Sequence, residues 1–190
     1  GGWAWTDLSG GVPDADDTPG ALLALAAWLK TDQALSDRLL PAASAGVRWL
    51  LDLQNADGGW PPFARGWGTL PFDKSGCDLT AHALRALHAW RGTRLANPSI
   101  DHLARQELDT RIAGAMEAGL RYLIGSQQRD GTWTPLWFGN QYRPQEDNPL
   151  YGTAKVLLAL RDLGRLDSPP ARRALDWLVI SQRADGGFAA

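Results

Sequence analysis

The chain reads as an all-α protein built from helical hairpins, and three observations carry that reading. Apolar residues recur at helical spacing in six stretches, as in Leu22, Leu25, Ala26 and Leu29 of the first. Glycine- and proline-rich punctuation that helices rarely pass through separates the stretches. Three of them also close in one pattern, a glutamine followed after five residues, Asp-Gly among them, by an aromatic: Gln54–Trp60, Gln127–Trp133 and Gln182–Phe188. Gly1-Gly2-Trp3 matches the tail of a fourth copy. A helical pair cannot bury its apolar stripe alone, so such repeats stack side by side and can close into a double ring, an (α/α)6 toroid. Six helices are about half of that ring.

The first helix is expected from about Thr18 to Lys30, with Thr18 as N-cap and Pro19 at the first helical position, where its missing N–H is harmless. A second begins near Pro41, carries Val47, Leu50, Leu51 and Gln54, and stops at the glycines before Trp60. Residues 61–77, rich in Pro, Gly and aromatics, form a loop. The third helix covers about Asp78 to Trp90, with Leu79, His82, Ala83, Ala86 and Leu87 on one side. After Asn97-Pro98 a long helix runs from about Ser99 to Gln127, its first half polar and exposed. A second aromatic loop, 134–150, leads to a helix at about Tyr151–Leu163, and after Pro169-Pro170 the last helix reaches Gln182. The repeated glutamine is expected to bond to backbone at the next helix start, with the aromatic stacked on it and the loops on the outer side.

Composition narrows the function. The 190 residues suit one domain or a piece of a larger protein, and 44% hydrophobic content is enough for a core. A net charge of −2 gives no footprint for nucleic acid. A single cysteine, Cys77, excludes an internal disulfide framework and fits a reducing compartment. No apolar run reaches the roughly 18 residues needed to span a bilayer. The chain starts without Met and stops just after a repeat tail. It is therefore expected to be one truncated segment, residues 1–190, whose partner surfaces lie elsewhere.

Chemistry concentrates in Pro13-Asp14-Ala15-Asp16-Asp17-Thr18-Pro19, three carboxyl groups in the turn before a largely apolar helix. Like charges this close cannot all ionise cheaply, so at least one holds its proton to higher pH than a free Asp. The helix dipole favours the anion by roughly 0.3–1 kcal/mol. A protonated acid whose conjugate base is well stabilised is what general-acid chemistry requires. The same stretch also fits a solvated acidic cap.

The glutamine–aromatic tails, combined with Asp-x-Asp-Asp-Thr at a helix start, resemble the squalene–hopene cyclase and oxidosqualene cyclase family. Gly1-Gly-Trp-Ala-Trp5, the acidic turn, Gln54–Trp60, Asp78-Leu-Thr-Ala-His82 and Tyr151-Gly-Thr153 follow the family's order across essentially the whole chain. The resemblance implies that Asp16 protonates the terminal alkene of a linear polyprene such as squalene. Asp14 and Asp17 would flank it, and His82 would pair with it and strengthen it, with Asp78 one turn earlier on the same face. Trp5, Phe63, Trp137 and Tyr151 would line the cavity, their electron-rich faces meeting the migrating cation. No cofactor and no metal are implied. The implied partners are the remaining half of the barrel, a second barrel domain and a membrane surface. The full-length protein would be peripheral on the cytoplasmic side, with the segment itself soluble and inactive alone.

The sequence departs from the family pattern in the longer stretch Phe138–Leu150, in the polar region Thr93–Asp109 and in Phe188, where Trp is usual. Three competing readings share parts of the pattern. A zinc protein prenyltransferase-like toroid would use Cys77, Asp78 and His82, although two of these are adjacent and no second cysteine exists. A class II diterpene cyclase would need a diphosphate site, for which no basic cluster is evident. A non-catalytic toroid would bind lipid or protein.

Overall fold

Six α-helices form where the apolar periodicity runs: α1 (Asp17–Thr31), α2 (Ser36–Leu53), α3 (Cys77–Trp90), α4 (His102–Ser126), α5 (Pro149–Asp162) and α6 (Pro169–Ser181). The computed structural model describes residues 1–63, 70–92 and 102–188. Among these residues no strand occurs, only two isolated bridges, Trp60 with Gly76 and Gln182 with Phe188.

The helices lie in two layers. α1, α3 and α5 pack side by side, while α2, α4 and α6 back onto α1, α3 and α5 respectively. Because each outer helix carries the chain back, the inner three run parallel. Contacts between inner helices show the direction. His82 in α3 meets Asp16 at the start of α1, and eight residues on, the Trp90 indole donates to the Leu22 carbonyl at 2.9 Å. Arg85 of α3 likewise pairs with Asp162 at the end of α5 at 2.6 Å. α3 sits centrally and is apolar nearly all round, with Leu79, Ala83, Leu84, Leu87 and Trp90 all buried.

One joint recurs at Gln54–Trp60 and Gln127–Trp133. Gln54 donates from Nε2 to the Gly58 carbonyl of its own loop and the Ala115 carbonyl of α4, the next outer helix, at 2.8 and 2.9 Å. Gln127 does the same with Gly131 and with Pro170 of α6, at 2.9 and 2.8 Å. The indole N–H of Trp60 donates to Leu50 and that of Trp133 to Leu123, each in the helix before it. The backbone N–H of each aromatic then donates to a threonine at the start of the next inner helix: Trp3 to Thr18, Trp60 to Thr80 and Trp133 to Thr153, at 2.9, 3.0 and 3.0 Å. Gly58 is required at its turn. Its φ is +91°, and an added Cβ would lie 2.5 Å from the Ala118 carbonyl oxygen.

Trp60 and Trp133 are fully buried between helices of the two layers. The tails follow the outer helices, and their glutamines bond to the next outer helix. Gln127 meets Pro170 at the start of α6, as expected, whereas Gln54 reaches the middle of α4 and not a helix start. The helix starts also move. α2 begins at Ser36, since Asp32 Oδ1 accepts from Ala34 N and opens a 3-10 turn (Gln33–Leu35) that runs straight into the helix. Pro41 is then an exposed interior residue just past the first turn, where a proline forfeits one backbone bond. α1 begins at Asp17 because Asp14, and not Thr18, caps it; the Thr18 hydroxyl is occupied by both the N–H and the carbonyl of Trp3. The expected start at Ser99, and Thr93–Asp101 of the polar region, fall outside the described residues.

The threonine joint makes a stability prediction. Thr80 Oγ1 accepts from the buried Trp60 N–H and donates to the Gly76 carbonyl at 2.6 Å. Thr80→Val keeps the shape but strands a buried donor, which should destabilise the fold by about 1–3 kcal/mol. A fall in the unfolding midpoint of the protein carrying this chain is expected, with Thr153→Val matching it. An unchanged midpoint in both would remove the joint's structural role.

Candidate functional site

The parallel inner layer brings three helix starts to one end of the molecule: Asp17 of α1, Cys77 of α3 and Pro149 of α5. Backbone ties pin the acidic turn there. Asp14 N donates to the Trp3 carbonyl at 3.1 Å, and the N–H of the fully buried Ala15 donates to Pro62 at 2.6 Å. Asp14 Oδ1 accepts from the amides of Asp16 and Asp17 at 2.8 and 2.6 Å, filling the first turn's unpaired donors. With both flanks fixed, the Asp16 side chain faces α3. Its Oδ1 lies 3.1 Å from Nδ1 of His82, whose side chain is 12% exposed against 43% for Asp16.

Three of the four carboxyl groups at this end, those of Asp14, Asp16 and Asp78, are driven apart. Asp16 is held below the usual carboxylate range, first by its hydrogen bond to His82, against an opposing burial effect, then by the charges of His82 and Lys155. Burial pushes Asp14 up; the amides of Asp17 and Asp16 offset part of this, and the neighbouring Asp17 carboxyl adds to it. Asp78 is 2% exposed, and neither carboxyl oxygen has a hydrogen-bond partner among the described residues. Burial raises it; the nearby amides of Asp78 and Leu79 attenuate the shift without reaching hydrogen-bond geometry. The carboxyl folds back over Gly76, where an added Cβ would stand 3.0 Å from Oδ1. Asp78 therefore shares the end of α3 with His82 but does not bond to it.

Tyr151 completes the cluster from α5. Burial and the negative charges of Asp16, Asp78 and Cys77 push its phenol well above the ordinary value. Its ring packs on Phe138 with centroids 4.8 Å apart. Trp5, Phe63 and Trp137 lie on the connections that lead into α1, α3 and α5 and are 78%, 43% and 45% exposed. Phe63 stacks on Phe72 at 6.1 Å. The 139–148 loop is held by an Arg143–Asp147 ion pair at 2.5 Å and by Glu146 in the left-handed region, φ 53°. It borders an open groove of about 620 Å³ beside Tyr151.

Lys155, a residue the sequence reading missed, stands one turn beyond Tyr151 with Nζ 5.4 Å from the ring centroid. The i, i+4 spacing from Tyr151 was the available signal. Cys77, Asp78 and His82 do not form a metal-binding group; among the described residues no three His, Cys, Asp or Glu side chains converge for one. Cys77 is a buried free thiol pushed up to about 12 by burial and by Asp78, which disfavours a thiolate ligand. No helix among the described residues is long and apolar enough to cross a membrane.

Comparison with known proteins bears on the family of the chain. The chain is 30% identical to the enfumafungin synthase of Hormonema carpetanum over 99% of its own length and 14% of that protein's. It is 30% identical to a probable squalene–hopene cyclase of Sinorhizobium fredii, covering 99% of this chain and 27% of that one. With the squalene hopane cyclase of Aspergillus fumigatus the identity is 31%, over 99% and 28%. The chain thus spans well under a third of these relatives. A family model, squalene-hopene cyclase C-terminal domain, matches residues 1–190, and the chain belongs to that family.

Proposed function

We propose that this chain is the acid-bearing part of a class II terpene cyclase that starts polyene cyclisation by protonating a terminal alkene through Asp16. The 3.1 Å contact between Asp16 and His82 carries this reading. In the step, the Asp16 O–H bond breaks and the alkene π pair forms a C–H bond to the less substituted carbon. A tertiary carbocation results, and the O–H electron pair stays on Asp16. A protonated His82 stabilises that carboxylate through Nδ1–H, so the acid is strong because its conjugate base is well held. Asp14 fixes the turn, Asp17 shares its charge field, and Asp78 sets the field behind His82. Trp5, Phe63, Trp137 and Tyr151 offer π faces to the cation as it moves. The substrate class is a linear polyprene such as squalene, which an enzyme must draw from a bilayer, so the full-length protein would work against a membrane surface.

The two-layer arc is read as part of one α/α barrel facing a second. Gln54 and Gln127 bond onward to the next outer helix, whereas Gln182 bonds only to Gly186 of its own loop among the described residues, at 2.9 Å. Val179 and Ile180 on α6 are 75% and 83% exposed. Further hairpins would cover that edge. Because cyclisation must exclude water and Asp16 stands half exposed here, the 190 residues alone should not turn over.

Two outcomes test the reading in the full-length protein with squalene. Asp16→Asn keeps size and polarity but removes the transferable proton, so turnover should drop by several orders of magnitude with little change in substrate binding. His82→Ala should cost roughly 10- to 1000-fold, and the double variant should be no worse than Asp16→Asn. A near-normal rate in Asp16→Asn would sink general-acid initiation. The second outcome is a pH dependence. The competent form carries the proton on Asp16, so activity falls as pH rises through its lowered value. A bound alkene displaces water from Asp16 and raises its pKa. The alkaline limb of kcat should therefore lie at higher pH than that of kcat/KM; coincident limbs would contradict the placement of substrate on Asp16.

A further inference from the structure

We propose that Lys155 is a positioning residue of the acid site, a second fixed cation on α5 that stabilises the Asp16 carboxylate once its proton has left. This rests on Asp16 being the proton donor. Lys155 follows Tyr151 by one helical turn, so both project from one face of α5, and the ammonium stands 5.4 Å from the ring centroid, within cation–π range. α5 packs along α3, whose first two turns carry Asp78 and His82. Lys155 forms no contact ion pair with Asp16 or Asp78 among the described residues, yet both carboxyls feel its charge. It therefore acts through the field across the start of α3.

Charge balance explains why a second cation belongs there. The groups around Asp16 are Asp14 and Asp17 from its own turn, Asp78 and His82 from α3, and Tyr151 and Lys155 from α5. Cys77 of α3 and Tyr122 of α4 lie behind Asp78. Among the described residues, Lys155 and His82 are the basic groups whose charge bears on Asp16, and they face a cluster of acids of which Asp78 is buried with no hydrogen-bond partner. An apolar substrate filling the space above Asp16 would lower the local dielectric and lengthen the reach of the ammonium. The aromatic ring beneath Nζ keeps that charge in place without neutralising it.

The experiment compares Lys155→Met and Lys155→Arg in the full-length protein with two readouts. One is the titration midpoint of the Asp16 carboxyl followed by NMR of 13C-labelled aspartate, and the other is the pH profile of kcat with squalene. In Lys155→Met the Asp16 midpoint and the alkaline limb of kcat should both move to higher pH. Plateau kcat should fall about 3- to 30-fold with KM within about twofold, and Lys155→Arg should restore all three. Lys155→Gln replaces the Met variant if that form does not fold. An unmoved midpoint in a folded variant overturns the proposal. So does a loss of kcat that leaves the limb in place and is not rescued by Arg, since that is a packing defect. A midpoint that moves while kcat and its limb do not overturns the assignment of Asp16 as donor, and the proposal with it.

Discussion

Three inner helices run parallel, and the site depends on that alignment. Each helix start presents the equivalent of about half a positive charge, from amides that lack intrahelical partners. Side by side, three such ends repel one another unless anions or acceptors meet them. At two of the three starts a side chain accepts from these amides: Asp14 takes those of Asp16 and Asp17, and Asn148 Oδ1 accepts from Tyr151 N at 3.1 Å, while the Asp78 carboxyl folds back over Gly76 with no hydrogen bond among the described residues. A hairpin-repeat architecture thus generates an electropositive end by its topology alone. Acidic residues gathered there stabilise the fold and are poised for proton chemistry at the same time.

What separates a cap from an acid is partnership. Asp14 spends its Oδ1 on backbone amides, and burial raises its proton affinity. Asp78 is buried, with no hydrogen bond to either oxygen among the described residues. Asp16 alone faces an imidazole and keeps a half-open side. A carboxyl with a well-held anion and an exposed edge is the one that can meet a hydrophobic alkene. In the proposed role, the pairing that would strengthen the acid also favours its ionised form in water. Desolvation by a bound alkene would offset that by raising the proton affinity of Asp16.

Much of this was legible in the sequence because it rests on local spacing. The glutamine–aromatic tails and the apolar periodicity give the six helices nearly in place; the pairing of Asp16 with His82, 66 residues apart, comes from the family resemblance and not from spacing. Other features were not legible, for physical reasons. Thr18 has the side chain of an N-cap, but its hydroxyl answers Trp3, fifteen residues away, a non-local bond that propensity cannot see. Pro41 reads as a helix start, yet the helix is launched by the Asp32 turn before it. Lys155 carries no motif that marks it in the sequence. It acquires meaning only because the start of α5 lies beside that of α3, which no single helix discloses.

The repeat also separates what must be rigid from what can vary. The bond from each aromatic N–H to its threonine spans 15 residues in the first repeat and 20 in the second and third, with nearly the same length each time. The joint therefore fixes where each inner helix begins, whatever the connection between does. Trp5, Phe63 and Trp137 are carried on those connections, while Asp16, His82, Tyr151 and Lys155 sit on or within two turns of the fixed helix starts. A differently folded loop, such as the 139–148 segment with its own ion pair, can then reshape the space beside Asp16 without moving Asp16 relative to His82. Proton delivery needs placement to a fraction of an ångström, and the shape of a hydrocarbon pocket does not. The fold assigns the first to hydrogen-bonded helix ends and leaves the second to the loops.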